Sequence, residues 1–189
     1  MRLQQIFAYK LFMVLGILLF TNSMLRADST WVSIDTVSTG SNFEFSMPSQ
    51  PDVYDTLTLN MFALKVDSLL SLQVFEYDST DYSRVDGLFE TALEESQGDT
   101  LEAFSKKILL TSDSELLSIK SVSHNGGQIQ GIEMGIDYQS VPSPDYMYSF
   151  MQIFKYDEKI VLFIITGFEA DADRLMDFKD DFFDSIVFY

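Results

Sequence analysis

Cysteine is absent from this 189-residue chain, and histidine occurs once. Without cysteine there is no disulfide, no thiolate metal site, no cysteine nucleophile and no lipidated N-terminal cysteine. A histidine base needs a nucleophile within hydrogen-bond reach and an acid to orient it. Ser-His-Asp is the set that remains, and the sequence has no G-x-S-x-G elbow to activate a serine. His124 stands beside Asn125-Gly126-Gly127, so it reads as the flank of a tight turn rather than as a base. The usual nitrogen and sulfur ligands of zinc are nearly missing. The phosphate-cradling patterns G-x-x-x-x-G-K-[ST] and G-x-G-x-x-G are missing too, so no nucleotide site is indicated. No catalytic residue, no metal ligand and no cofactor is assigned on these grounds.

Positive charge is also scarce. Twelve Lys and Arg stand against 29 Asp and Glu, a net charge of −17. Such a chain is repelled by nucleic acid and by anionic membrane surfaces. Long apolar runs are limited to one. Residues 11–20, LFMVLGILLF, follow a segment that carries Arg2 and Lys10 and no acid. Ten residues span about 15 Å as a helix, roughly half a bilayer core. The N-terminus therefore reads as a signal peptide over 1–27, cleaved after Ala27, with no membrane span once it is removed. The large Leu25 leaves cleavage after Ser23 as one alternative and an uncleaved anchor as another. Export implies a periplasmic or secreted protein. Loss of Arg2, Lys10 and Arg26 leaves nine basic residues and a net charge of −20.

Apolar and aromatic material is abundant. The chain is 47% hydrophobic, with 17 Phe and 9 Tyr, ample for one packed core. Residues 28–42 read as a polar lead-in arm, with Trp31 capping the core edge, and 43–189 as one domain. A short strand at 42–51 is ended by Pro48 and Pro51, which cannot continue a ladder. Segments 57–66 and 69–77 read as a hairpin around Asp67-Ser68. From 86 to 110 the period changes: Leu88, Phe89, Ala92 and Leu93, then Leu101, Phe104 and Ile108, recur at helical spacing. Asp99 and Glu102 form a candidate capping pair in this segment, read as two short helices or one kinked helix. Strands at 116–124 and 128–138 flank the Asn-Gly-Gly turn, with a bulge expected near Ser121. Another hairpin joins 146–156 to 159–168. Its run Ile160–Ile165 is apolar at every position, as a strand buried on both faces would be, so it is expected to be central. Residues 169–185 form an amphipathic helix with Leu175, Phe178 and Phe182 as its stripe, and IVFY closes as a strand. Hairpins dominate, which predicts an α+β domain with a mostly antiparallel sheet flanked by helices.

Two groups of residues invite a functional reading. Tyr146, Tyr148, Phe150, Phe154 and Tyr156 share one strand face, opposite Met147, Met151 and Ile153. They serve either as core or as the wall of a pocket for an apolar ligand. The second group is acidic. EADADRLMDFKDD fails as a calcium loop, because counting from Asp171 puts Leu175 at position 5 and Met176 at position 6. Asp173, Asp177, Asp180, Asp181 and Asp184 remain as a solvated helix face and a candidate docking surface. The last three lie toward the helix C-terminus, where negative charge is unfavourable, a hint that something basic neutralises them.

The chain resembles the PsbP-like superfamily, which includes the Mog-type Ran-binding proteins. The resemblance rests on FEFSMPSQP, LTLNMFALKVDSLLSLQVFEY, NGGQIQGIEMGIDY, YMYSFMQIFKYDEKIVLFIITGF and the closing FFDSIVF, which together span residues 43–188. It implies a PsbP-like α-β-α sandwich, and binding or assembly rather than catalysis. Members of that superfamily dock on a photosystem or a small GTPase; neither partner transfers to these residues. The expectation is an exported, non-enzymatic binding or assembly-factor domain whose partner is a protein of the cell envelope with basic character. A carrier of an apolar small molecule or lipid, with a pocket between the 146–156 stripe and the 86–110 helices, is the alternative. A carboxylate-based hydrolase is the third reading, and 29 acids make no single pair informative.

Overall fold

The computed structural model describes residues 31–36, 41–55, 59–78, 100–110, 113–138, 147–156 and 159–189. The segment expected to be a signal peptide, residues 86–99 of the helical segment and Tyr146 fall outside them. In order, the elements are β1 Val32–Asp35, β2 Phe43–Met47, β3 Asp52–Asp55, β4 Leu59–Lys65, β5 Leu70–Asp78, α1 Thr100–Leu109, β6 Ser114–His124, β7 Ile129–Tyr138, β8 Met147–Tyr156, β9 Lys159–Phe168, α2 Ala172–Asp184 and β10 Val187–Phe188.

Seven strands form one sheet in the order β3-β4-β5-β9-β8-β7-β6, and every neighbouring pair is antiparallel. The strand β9, with its apolar run Ile160–Ile165, is the central one. Val161, Phe163 and Ile165 enter the core on one face, and Ile160, Leu162 and Ile164 enter the core on the other. The first core lies between the sheet, α2 and a small antiparallel sheet of order β1-β2-β10. The second lies under α1, where Phe104 and Leu109 meet Met134, Ile136, Met151 and Ile153. The expected α+β architecture with an antiparallel sheet between helical layers is the one observed, with the small sheet sharing a layer with α2.

Three local expectations differ. The polar stretch read as a lead-in arm contains β1, paired to β2 from Val32↔Met47 to Asp35↔Glu44. Val32 and Ile34 alternate with Ser33 and Asp35, so a period of two was hidden among Ser and Thr. The strand β3 was not anticipated: all four of its residues are exposed, so it has no buried face to leave a pattern. The bulge falls between Leu116 and Ser118, not near Ser121, and leaves Leu117 exposed. Its extra residue explains the irregular alternation of β6.

The turn between β6 and β7 has the expected geometry. Asn125, Gly126 and Gly127 have φ of 51°, 64° and 95°, all left-handed, a conformation that Asn and Gly tolerate best. In the β4–β5 hairpin, Asp67 replaces a stronger turn signal by accepting backbone N–H bonds from Leu69 at 2.7 Å and Leu70 at 3.0 Å. The closing FFDSIVF also has a physical basis. Phe182, Phe183, Ile186 and Phe188 are all core residues. The Ser185 hydroxyl donates to Phe182 O at 2.7 Å and accepts from the Ser46 N–H at 2.9 Å, joining the end of α2 to β2.

Candidate functional site

Helix α2 follows a 3-10 turn at Glu169–Asp171, so Glu169, Asp171 and Asp173 gather where the helix dipole favours negative charge. Leu175, Lys179, Phe182 and Phe183 face inward. The predicted stripe is thus right at Leu175 and Phe182. Phe178 instead lies half-buried on the flank, 5.6 Å from the Trp31 ring. Asp173, Asp177, Asp180, Asp181 and Asp184 are all exposed. Their spacing confines them to an arc of about 100° on the solvent side.

The helix carries two cations, and both have partners within the chain. The Arg174 guanidinium donates to Asp67 at 2.5 Å and to Asp171 at 3.0 Å, and lies 5.2 Å from the Phe178 ring centre. The Lys179 ammonium runs inward beside Phe150, 5.6 Å from its ring centre, and stands 3.9 Å from Glu133 and 2.8 Å from Asp180. Asp180 is thereby partly balanced. Burial alone would raise the Asp67 carboxyl, but the N–H groups of Leu69 and Leu70 and the Arg174 charge hold it below the ordinary carboxylate value. What α2 presents to solvent is an acidic stripe bordered by Trp31 and Phe178 on one flank and by the exposed Met176 on the other.

The aromatic stripe of β8 lies on the α2 side of the sheet. Phe154 and Tyr156 are buried, and Tyr148 and Phe150 are half-buried against the same core. Phe154 covers Gly131, its cross-strand partner; a Cβ there would sit 2.4 Å from the ring and 2.7 Å from Ile153 O. Phe154 also packs edge-on to Phe163 and Phe188, at 6.1 and 5.1 Å. For the pocket expected between this stripe and the 86–110 helices, α1 does not supply the second wall, since it packs on the opposite face with Met151 and Ile153. Alternation along β8 sends the two sets of side chains apart.

Two buried polar clusters were not visible in the sequence. Glu133, directly across from Gln152 in the β7–β8 ladder, accepts from its Nε2 at 2.7 Å and pairs with Lys120 at 3.0 Å as well as facing Lys179. Glu76 accepts from Lys159 at 2.7 Å, from Asn60 at 3.2 Å and from the Ser41 hydroxyl. The signal for Glu133 was its alternation with Ile132 and Met134; its partners come from other strands and from α2. Both clusters are ion pairs closed by hydrogen bonds, and they tie layers together. Burial pushes the Tyr138 hydroxyl up to about 12, and it donates to Leu109 O at 3.3 Å, joining the end of β7 to α1.

His124 is half-buried at the turn. Its ring packs on Phe154 at 5.1 Å and Phe188 at 5.8 Å. Among the described residues no cluster of His, Cys, Asp and Glu could hold a metal ion, and no helix is long and apolar enough to cross a membrane.

Neither family models nor curated protein sequences match this chain. Solved structures do. The solution structure of cyanobacterial PsbP (CyanoP) from Synechocystis sp. PCC 6803 aligns with a TM-score of 0.50 and 14% identity, over 90% of this chain and 99% of that one. The Ran-binding protein Mog1p of Saccharomyces cerevisiae aligns with a TM-score of 0.46 and 9% identity, over 84% and 95% of the two chains. The likeness to CyanoP is one of fold, and it agrees with the PsbP-like architecture expected from element order.

Proposed function

We propose that this PsbP-like fold serves as an exported, non-enzymatic binding domain that docks a basic protein of the cell envelope on the solvent face of α2. The observation that carries this reading is the disposition of charge on that helix. Five aspartates point outward, while Arg174 and Lys179, its two cations, are engaged inside the chain. Asp180 already has Lys179, but Asp181 and Asp184 nearest the C-terminus gain nothing from the helix dipole, so their place there is better explained by an external cation than by folding. Trp31, Phe178 and Met176 supply the apolar contact that charge alone lacks. Mog1p is named a Ran-binding protein, so one chain aligned on this fold binds protein.

The test is affinity capture from the envelope of the native host, with the wild type beside an Asp177→Lys/Asp181→Lys variant. Both sites are exposed, so the variant folds. The expected result is a protein retained by the wild type at low salt, weakened as salt rises, and lost on charge reversal. A partner held equally by both proteins contradicts the reading.

A further inference from the structure

The chain has four asparagines, and Asn125 alone is followed by glycine. That pair is the most reactive dipeptide for spontaneous deamidation, because glycine places no side chain over its backbone nitrogen. Here Asn125 is exposed, and nothing lies within 4 Å of the position a Cβ would take on Gly126. Among the described residues a hydrogen bond restrains the Asn125 side chain: its Nδ2 donates to the carbonyl of Phe188 at 2.6 Å.

That bond holds a short element. β10 has two residues, paired to β2 as Val187↔Glu44 and Phe188↔Phe43. Its other ties are the Tyr189 N–H to Asn42 O at 2.9 Å and the Phe188 ring, which meets Phe43, Phe154, Tyr156 and His124 within 6.0 Å. The turn between β6 and β7 thus clasps the strand that closes the aromatic core.

We propose that Asn125 is a self-modification site gated by this clasp, and that its conversion releases β10. In the reaction the Gly126 nitrogen attacks Asn125 Cγ. The N–Cγ bond forms, the Cγ–Nδ2 bond breaks, and ammonia leaves carrying the Gly126 proton. Water then opens the succinimide at either carbonyl, giving aspartate or isoaspartate. No oxidant or other co-reactant is needed. Attack requires Cγ to turn toward Gly126, so Nδ2 must first leave the Phe188 carbonyl. The product puts a carboxylate where an amide donor stood, facing a carbonyl that also only accepts. The bond cannot reform, and isoaspartate adds a methylene to the turn backbone.

The experiment follows Asn125 by peptide mass spectrometry in the full chain at mildly alkaline pH. The native protein is compared with the same chain in urea and with Phe188→Leu. Local opening sets the native rate, so conversion in native buffer is expected roughly tenfold or more below that in urea. Phe188→Leu, which loosens β10 with less volume lost than alanine, is expected to speed native conversion several-fold. In the aged protein and in Asn125→Asp, amide exchange at Tyr189 is expected to rise. Equal rates in native buffer and urea, or conversion of Asn42 or Asn60 ahead of Asn125 in native buffer, overturn the proposal. So does unchanged exchange at Tyr189 in Asn125→Asp, which needs no ageing step.

Discussion

Asp67 shows how one side chain can serve a turn and a tertiary contact at once. Its carboxylate closes the β4–β5 hairpin and receives Arg174 from α2. Its folded-state pKa is lowered, so its stabilisation is complete above the unfolded value near 3.8 and is lost as pH falls through the lower folded value. Asp67→Asn keeps the acceptor for the backbone N–H groups and removes the charge. It should cost about 0.5–1 kcal/mol at neutral pH, as partly exposed pairs do, and less at about pH 2. Urea unfolding of both proteins at the two pH values measures the difference. Glu76 is a stricter case, because it is 2% exposed and Lys159 is its ion-pair partner. Glu76→Ala removes one member of a buried pair and should cost about 3 kcal/mol, read from the same denaturation curves. Gly131→Val forces a Cβ into the Phe154 ring and should cost about 1–3 kcal/mol. The turn residues were legible in the sequence because Asn-Gly-Gly acts through local backbone geometry. Glu76 and Glu133 were not, since their partners lie on other strands and the pairing register is not written in either segment alone.

At the scale of elements, α2 makes a prediction in which stability and binding part company. Asp181 and Asp184 lie exposed in its last turns, against the helix dipole. Asp181→Asn and Asp184→Asn should each raise stability by about 0.3–1 kcal/mol while weakening partner binding. Thermal unfolding and affinity capture of the same two proteins check both halves. If the acids were only a solvating surface, the variants would gain stability and lose nothing. The element boundaries show why some segments were readable. The run Ile160–Ile165 of β9 is apolar throughout because the strand is central, and α2 announces itself by a period of 3.6. β1 and β3 are short strands at sheet edges, where one or both faces are wet and pattern is weak. The pocket expected against the helices lacks α1 as a wall for a different reason. The faces of β8 were assigned correctly from alternation, but which face receives which helix is a matter of connection across the sheet, and composition carries no record of it.

At the scale of the whole molecule, the described residues form a large antiparallel sheet with a helix on one face and a helix plus a small sheet on the other. Its two cores leave the aromatic stripe of β8 packed against α2 and β10, while the acids of α2 stand outside. Both edges of the large sheet are poor templates for stray pairing. β3 is four residues long with an aspartate at each end, and β6 carries a bulge and Lys120. Recognition is therefore assigned to side chains on α2 and not to an open sheet edge. The most direct measurement is native mass spectrometry of the protein purified gently from its own host, beside the Asp177→Lys/Asp181→Lys variant. The account predicts a discrete protein complex for the wild type and a bare chain for the variant. A small apolar molecule bound to both, or the same protein complex in both, would contradict it.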